Sequence, residues 1–165
     1  MWKGIDVSDN QGAVAWNQVK EAGCQFAVLR SVRRSGKPDA QFGANVSGCR
    51  ANGIPFEVYK YTYADVPSQS AEEAKQVVDL LQSHHLSCRI WWDVEDISLK
   101  KLGAGVLTGL IRSAWNIVEG AGMEFGIYTG LAFYHAGYFD PPAFDCPFWI
   151  ARYPTSAYYP FSAAP

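Results

Sequence analysis

The stretch Trp91-Trp92-Asp93-Val94-Glu95-Asp96 places two acids two residues apart at the end of an apolar run that predicts a β-strand over Arg89–Glu95. Side chains at i and i+2 of a strand face the same side, so Asp93 and Glu95 should point the same way, with their Cα atoms about 6.6 Å apart. Two like charges beside aromatic residues are costly to remove from water. The pair therefore predicts either a functional site or solvated acids at a strand end, with Asp96 as the N-cap of a following helix.

Strand signals alternate with helical patterns along the rest of the chain. Strands are predicted at Gly4–Ser8, Phe26–Val32, Pro55–Tyr63, Arg89–Glu95, Phe125–Thr129 and Phe148–Tyr153. Helices are predicted at Val14–Ala22, Ala40–Ala51, Ser70–Ser83 and Leu99–Gly120. The segment Leu131–Pro147 is too rich in Pro, Gly and aromatic residues for a regular crossover helix. This alternation predicts an α/β fold, with a parallel sheet covered by helices, in a single domain over residues 1–165.

Composition excludes several classes of protein. Hydrophobic residues make up 48% of the 165 residues and charged residues 18%, which indicates an ordered globular domain. The net charge of −2, without a basic block, argues against nucleic acid as a partner. No apolar run approaches the ~18 residues of a membrane span, and no signal peptide is visible. The four cysteines are widely spaced without a CxxC pair, so we expect free thiols and no zinc site.

Polar residues recur where the predicted strands end. Asp6 ends the first strand, Asp93 and Glu95 end the fourth, Tyr128 ends the fifth and Arg152 ends the sixth. The catalytic groups of a parallel barrel lie at this C-terminal edge of the strands. An acid pair that flanks a bond is what glycoside hydrolysis requires. The edge therefore predicts an active site.

Five stretches, in this order, carry a resemblance to known proteins: Gly4-Ile5-Asp6-Val7-Ser8-Asp9-Asn10-Gln11-Gly12, Phe26-Ala27-Val28-Leu29-Arg30, Trp92-Asp93-Val94-Glu95, Gly126-Ile127-Tyr128-Thr129 and Phe148-Trp149-Ile150-Ala151-Arg152-Tyr153. They resemble glycoside hydrolase family 25, the Chalaropsis-type lysozymes common in phage endolysins. The resemblance implies an irregular, TIM-like (β/α) barrel of eight strands with fewer helices than strands. It also implies a muramidase that lyses cell walls by cleaving the β-1,4 bond between N-acetylmuramic acid and N-acetylglucosamine in peptidoglycan, without a metal or organic cofactor.

The same resemblance assigns roles to the acids. Glu95 matches the general acid, and Asp93 and Asp6 match acids that shape the charge and the pKa values of the site. Asp93 would be either a nucleophile or the group that steadies an oxazolinium formed by the substrate's own acetamido group. Both mechanisms stay open at this point.

Other residues are candidates for substrate binding. Tyr61, Tyr128 and Trp149 would stack on sugar rings or bind their hydroxyls, with barrel lining as the alternative role. Arg30 and Arg152 would bind the lactyl or peptide carboxylates of the wall, with pairing to the site acids as the alternative.

The chain departs from the family pattern in two places. Ser31-Val32-Arg33-Arg34-Ser35-Gly36 stands where a Thr-Glu-Gly-like loop is usual, and no Trp-Gln-Tyr strand or further acid follows Tyr153. The tail Pro154–Pro165 is too short and Pro-rich for a long final strand. We therefore expect an incomplete barrel, completed by a missing C-terminal segment or by self-association.

Two other functions remain open: a non-hydrolytic module that binds wall glycan, and a different glycosidase on a similar barrel. Without a visible signal peptide, we expect synthesis in a host cytoplasm and action at the bacterial cell wall, or secretion by another route.

Overall fold

The computed structural model describes residues 2–152 and contains one parallel sheet whose strands follow the order of the chain. Its strands are β1 (Gly4–Val7), β2 (Phe26–Arg30), β3 (Phe56–Tyr61), β4 (Ile90–Asp93), β5 (Phe125–Gly130) and β6 (Phe148–Ala151). Its helices are α1 (Trp16–Glu21), α2 (Phe42–Ala51), α3 (Pro67–Ser83), α4 (Ala104–Gly120) and α5 (Leu131–His135). The sheet curls into a half-barrel, which confirms the predicted irregular α/β barrel with fewer helices than strands.

All six predicted strands form, and the differences concern the ends of elements, one predicted helix that is divided and one short helix that is additional. The predicted helix Leu99–Gly120 is divided by Gly103, whose φ of 79° interrupts the helical hydrogen bonds. A 3-10 turn over Ile97–Lys101 precedes this break and α4 follows it. Helix α3 begins at Pro67, because proline fits the first turn of a helix, where its missing N–H is not needed.

The segment Leu131–Pro147 holds no regular crossover helix, as predicted, but it does contain the short helix α5, which the sequence did not reveal. The end of the predicted strand at Tyr153 and the tail Pro154–Pro165 lie outside the described residues. The expectation of an incomplete barrel therefore stays a prediction.

One face of the sheet packs against helices and forms the core. Alternate residues of the strands point to this face and are almost fully buried, including Leu29, Val58, Ile90, Trp92 and Ile127. Helix α2 packs against β2, and helices α3 and α4 pack against each other and add further apolar side chains to this core, among them Ala74, Val77, Leu81, Leu107, Ile111 and Ala114. Each large side chain buried in this layer contributes about 1.5–3 kcal/mol to stability.

The opposite face lines the inside of the half-barrel, and Trp91 forms its floor. The ring of Trp91 lies edge-on to Trp149 at a centroid distance of 5.8 Å, and its Nε1 donates to Glu57 Oε2 at 2.5 Å. A Cβ on Gly126, the residue paired with Trp91 in β5, would lie 2.7 Å from that ring. Glycine is therefore required at position 126 to leave room for the Trp91 ring.

Cys24, Cys49, Cys88 and Cys146 are free thiols, as predicted. Burial raises the pKa of Cys49 to about 12, so this thiol resists ionisation. Across residues 2–152, every helix is too short or too polar to cross a lipid bilayer.

Candidate active site

A cavity of about 370 Å³ opens where the parallel strands end. Seven of the eight residues that the sequence nominated for the site line this cavity: Asp6, Arg30, Tyr61, Asp93, Glu95, Tyr128 and Trp149. The eighth, Arg152, follows β6, is exposed and is not among the lining residues. Clustering follows from the register, because β4 pairs with β3 and β5 so that Asp93 lies between Tyr61 and Tyr128.

Asp93 is the most unusual group in the cavity. It is the last residue of β4 and only 6% exposed, and its Oδ1 is buried without a hydrogen-bond partner within residues 2–152. Burial, together with the negative charges of Glu95 and Asp6, raises the pKa of Asp93 to about 8, although Lys60 opposes the shift. The folded protein thus keeps a protonated carboxyl at neutral pH, and one of its oxygens has no hydrogen-bond partner in the described residues.

The other two acids of the cluster are more accessible. Glu95 lies two residues beyond Asp93, just after the end of β4, and is half-buried. Burial raises the pKa of Glu95 as well. Asp6 lies in the edge strand β1 and is exposed to solvent, so it adds negative charge at the rim of the cavity.

Asp96 has a structural role, as one of the two interpretations of the sequence proposed. Its side chain caps the 3-10 turn, accepting from the backbone N of Ser98 at 2.9 Å and from Ser98 Oγ at 2.6 Å. The hydrogen bond from Ser98 is the main reason that the pKa of Asp96 is lowered. The hydroxyl of Tyr61 also donates to Asp96 at 3.3 Å, which orients that ring at the cavity wall. Asp96 is therefore an N-cap, whereas Asp93 is buried and is not a solvated acid at the strand end.

A buried ion pair supports the site from behind the sheet. Lys60 is 1% exposed, and its Nζ donates to the carbonyl of Tyr61 at 2.6 Å and lies 3.3 Å from Glu73 Oε1 on α3. Glu73 also accepts from Thr62 Oγ1 at 2.7 Å. Burial lowers the pKa of Lys60, and Glu73 opposes that shift. The pair anchors the end of β3, which carries Tyr61, and brings a positive charge near Asp93.

Arg30 pairs with acids outside the cluster formed by Asp6, Asp93 and Glu95. Its Nε donates to Asp39 Oδ2 at 2.7 Å, and its Nη2 pairs with Asp9. Asp39 in turn accepts from the backbone N of Asp9 at 3.0 Å, which fixes the turn after β1. Of the two roles proposed for Arg30, ion pairing is therefore the one seen, but its partners are not the acids of the cavity.

Aromatic rings form two walls of the cavity. On one side, Tyr61 and Tyr63 lie with their ring centroids 4.8 Å apart. On the other side, Tyr128 and Trp149 meet edge to face, also at 4.8 Å. Apolar ring faces flanking a polar cluster are suited to a carbohydrate, whose rings present both C–H faces and hydroxyl edges.

Sequence reasoning did not select several of the residues that line the cavity: Asn10, Val32, Arg33, Arg34, Tyr59 and Tyr63. Two signals could have found most of them. Tyr59, Tyr61 and Tyr63 have the two-residue spacing that puts side chains on one face of a strand. Arg33 and Arg34 occupy the loop where the chain departs from the family pattern. Within residues 2–152, no group of three or more His, Cys, Asp or Glu side chains is placed to hold a metal ion.

Comparison with known proteins gives the same indication as the geometry of the cavity, which is suited to a carbohydrate. The sequence model of the glycosyl hydrolases family 25 matches residues 5–163. The autolytic lysozyme of Clostridium acetobutylicum is 27% identical over 156 residues, which make up 93% of this chain and 46% of that protein. The chain thus spans about half the length of the lysozymes that it matches.

Solved structures show the same fold. The catalytic domain of an endolysin from a bacteriophage of Listeria monocytogenes superposes with a TM-score of 0.77 at 23% identity, covering 93% of this chain and 75% of that one. The modular autolysin LytC of Streptococcus pneumoniae, solved in complex with a synthetic peptidoglycan ligand, superposes with a TM-score of 0.72 at 26% identity. That match covers 81% of this chain and 33% of the autolysin.

Proposed function

This chain belongs to family 25 of the glycosyl hydrolases, and we propose that it is a muramidase that cleaves the β-1,4 bond between N-acetylmuramic acid and N-acetylglucosamine in bacterial peptidoglycan. One observation carries the proposal: a buried, protonated Asp93 with an unpartnered oxygen lies beside Glu95 in a cavity walled by aromatic rings. A protonated carboxyl and a second acid within reach of a sugar are the groups that glycoside hydrolysis uses.

We assign the role of general acid to Glu95. It is more accessible than Asp93, so its carboxyl can reach the oxygen between two sugars, and burial raises its pKa, which favours the protonated form that a general acid needs. As the bond between the anomeric carbon and this oxygen breaks, Glu95 gives its proton to the departing N-acetylglucosamine. Water later adds to the anomeric carbon and returns a proton to Glu95, so the enzyme is regenerated.

Asp93 and Glu95 share their protons, and substrate binding would redistribute them. In the free protein the proton rests mainly on Asp93, whose pKa is about 8. The acetamido N–H of a bound sugar would supply the hydrogen bond that Asp93 Oδ1 lacks. A donor to a carboxylate stabilises its ionised form, so the proton would move to Glu95, where the reaction needs it. An ionised Asp93 would then either attack the anomeric carbon or orient the acetamido oxygen to do so.

The remaining groups of the cavity position the glycan. We propose that Tyr61, Tyr128 and Trp149 contact sugar rings, because their side chains form the two aromatic walls. Asp6 would hold the developing positive charge of the transition state from the rim. The site of action would be the bacterial cell wall.

Analysis of the products of wall digestion tests the proposal against its two alternatives. Purified peptidoglycan is incubated with the chain, and the soluble muropeptides are identified by mass spectrometry after reduction of their new ends. A reducing-end muramic acid supports the muramidase. A reducing-end glucosamine would indicate a different glycosidase, and bound but uncut glycan would indicate a binding module.

A further inference from the structure

The loop between β2 and α2 presents two arginines to the cavity and is held in a fixed shape. Val32 and Pro38 form an antiparallel bridge across it, and the backbone N of Arg33 donates to the carbonyl of Lys37 at 2.9 Å. Gly36 closes the turn with a φ of 78°, a conformation that L side chains rarely adopt. Arg33 and Arg34 therefore project from a short hairpin whose backbone is already ordered.

Arg34 differs from the other two arginines that line the cavity. Arg30 is paired with Asp9 and Asp39, and Arg33 lies 3.7 Å from Asp9 and donates to the carbonyl of Pro38 at 3.2 Å. The guanidinium of Arg34 is exposed and has no carboxylate of residues 2–152 within 4 Å. Its hydrogen-bond donors are therefore not engaged in an ion pair within 4 Å, and its charge acts at longer range on Asp96.

Stacking holds the guanidinium of Arg34 in place. It lies 4.5 Å from the centroid of the Tyr63 ring, a distance typical of a cation–π contact. The N–H groups of a guanidinium form a planar fork, the geometry that binds a carboxylate with two hydrogen bonds. The contact with Tyr63 restricts the Arg34 side chain before a ligand arrives, which reduces the entropy lost on binding.

Arg34 and Tyr63 also form the boundary with a second hollow of about 530 Å³. Asp65 and Glu72 line that hollow beyond the boundary, so its far wall repels anions. Arg34 is the basic residue that lines both spaces. An anionic substituent of a glycan at this boundary would therefore meet a positive charge.

We propose that Arg34, with Arg33 beside it, binds a carboxylate carried by the muramic acid unit of the substrate, either on the lactyl group or on the attached peptide stem. The inference rests on the proposed function, because it takes wall glycan as the ligand. The proposal gives Arg34 the carboxylate-binding role that the sequence suggested for Arg30 and Arg152. Arg34 lines the cavity and forms no ion pair within 4 Å in residues 2–152.

Binding measurements on three tetrasaccharides test the proposal, all in a Glu95→Gln background so that binding can be followed without turnover. The probes are chitotetraose, which has no carboxylate, wall tetrasaccharide stripped of peptide, which has free lactyl carboxylates, and wall tetrasaccharide with intact stems. Calorimetry gives Kd for each. Arg34→Gln should weaken binding of a carboxylate-bearing probe about tenfold relative to chitotetraose. Arg50→Gln removes an exposed arginine on α2, away from the cavity, and should leave the ratio unchanged.

The pattern of losses identifies the carboxylate. A loss confined to the stem-bearing probe would assign the peptide carboxylate. A loss confined to the stripped glycan would assign the lactyl carboxylate, which is free only where no peptide is attached, and a loss on both would show that Arg34 binds either carboxylate. Arg34→Lys keeps the charge without the planar fork and should give an intermediate loss. An equal effect of Arg34→Gln on all three probes, or no effect on any, would overturn the proposal. Cleavage is measured separately with Glu95 intact, so absence of muramidase activity would refute the proposed function without deciding the binding result.

Discussion

Replacing Asp93 with asparagine should stabilise the fold at neutral pH while impairing hydrolysis. Folding raises the pKa of Asp93 from 3.8 to about 8. The unfolded chain therefore releases this proton near pH 4, whereas the folded protein retains it until near pH 8. The folded state binds more protons across this interval, so its stability is highest below the unfolded pKa and falls as the pH rises towards 8.

The size of the effect follows from the same values. A difference of one pKa unit corresponds to about 1.4 kcal/mol. At pH 7 the unfolded chain gains from ionising Asp93, whose pKa is then 3.8, and the folded protein does not, which destabilises the fold by about 4 kcal/mol. Asparagine carries no charge and avoids this penalty, although a buried amide without partners costs about 1–3 kcal/mol. Asp93→Asn should therefore gain about 1–3 kcal/mol at pH 7 and gain nothing, or lose stability, at pH 4.

Urea unfolding at pH 4 and pH 7 measures this directly. The decisive quantity is the difference between the two stability changes, about 4 kcal/mol, because the cost of the buried amide is the same at both pH values and cancels. Asp79→Asn, at an exposed position of α3, provides the matched control and should show no comparable difference. A stability change for Asp93→Asn that is the same at both pH values would refute the assignment of a buried, protonated carboxyl.

Three further predictions concern activity. Glu95→Gln should lower kcat on purified cell walls about 10²–10⁴-fold with little change in melting temperature, since it removes a proton donor and retains its shape; wild-type rates would exclude Glu95 as the acid. The pH profile of kcat/KM should be bell-shaped, and its basic limb should move to lower pH in Asp93→Asn, which removes the group with the raised pKa; a limb that stays in place would show that Asp93 does not set it. Lys60→Met removes a charge that lowers the pKa of Asp93, so the basic limb should move to higher pH, unlike in Lys75→Met, which changes an exposed lysine of α3.

Sequence patterns were sufficient for the strands and for most of the candidate site. The apolar runs locate every strand of the described sheet, because a strand covered by helices needs continuous hydrophobicity. The common edge of parallel strands then brings Asp6, Asp93 and Tyr128 together without knowledge of any contact. Helix α5 was not predicted, because five residues within a Gly- and Pro-rich segment are too few to show the periodic apolar pattern of a helix.

The sequence does not identify the partner of each charged side chain. Arg30 and Arg34 are equivalent as residue types, yet one is neutralised by acids distant in sequence and the other stacks on Tyr63. From the sequence alone, Lys60 would be assigned to the surface, but in the structure it is buried against Glu73. Such pairings depend on tertiary packing between strands and helices, which short-range patterns do not record.

The order of the strands has a consequence for how the chain folds as it is synthesised. Every described strand from β2 onward pairs with the strand made just before it, so this part of the sheet can grow by addition at one edge. The N-terminal part of a chain leaves the ribosome first, so the order of the strands matches the order of synthesis. The acids of the cavity come from β1 and from the end of β4, so the cluster is complete only when Glu95 of the 165 residues has been made. A nascent chain that ends just before Glu95 would already contain four of the six described strands but not the complete acid cluster.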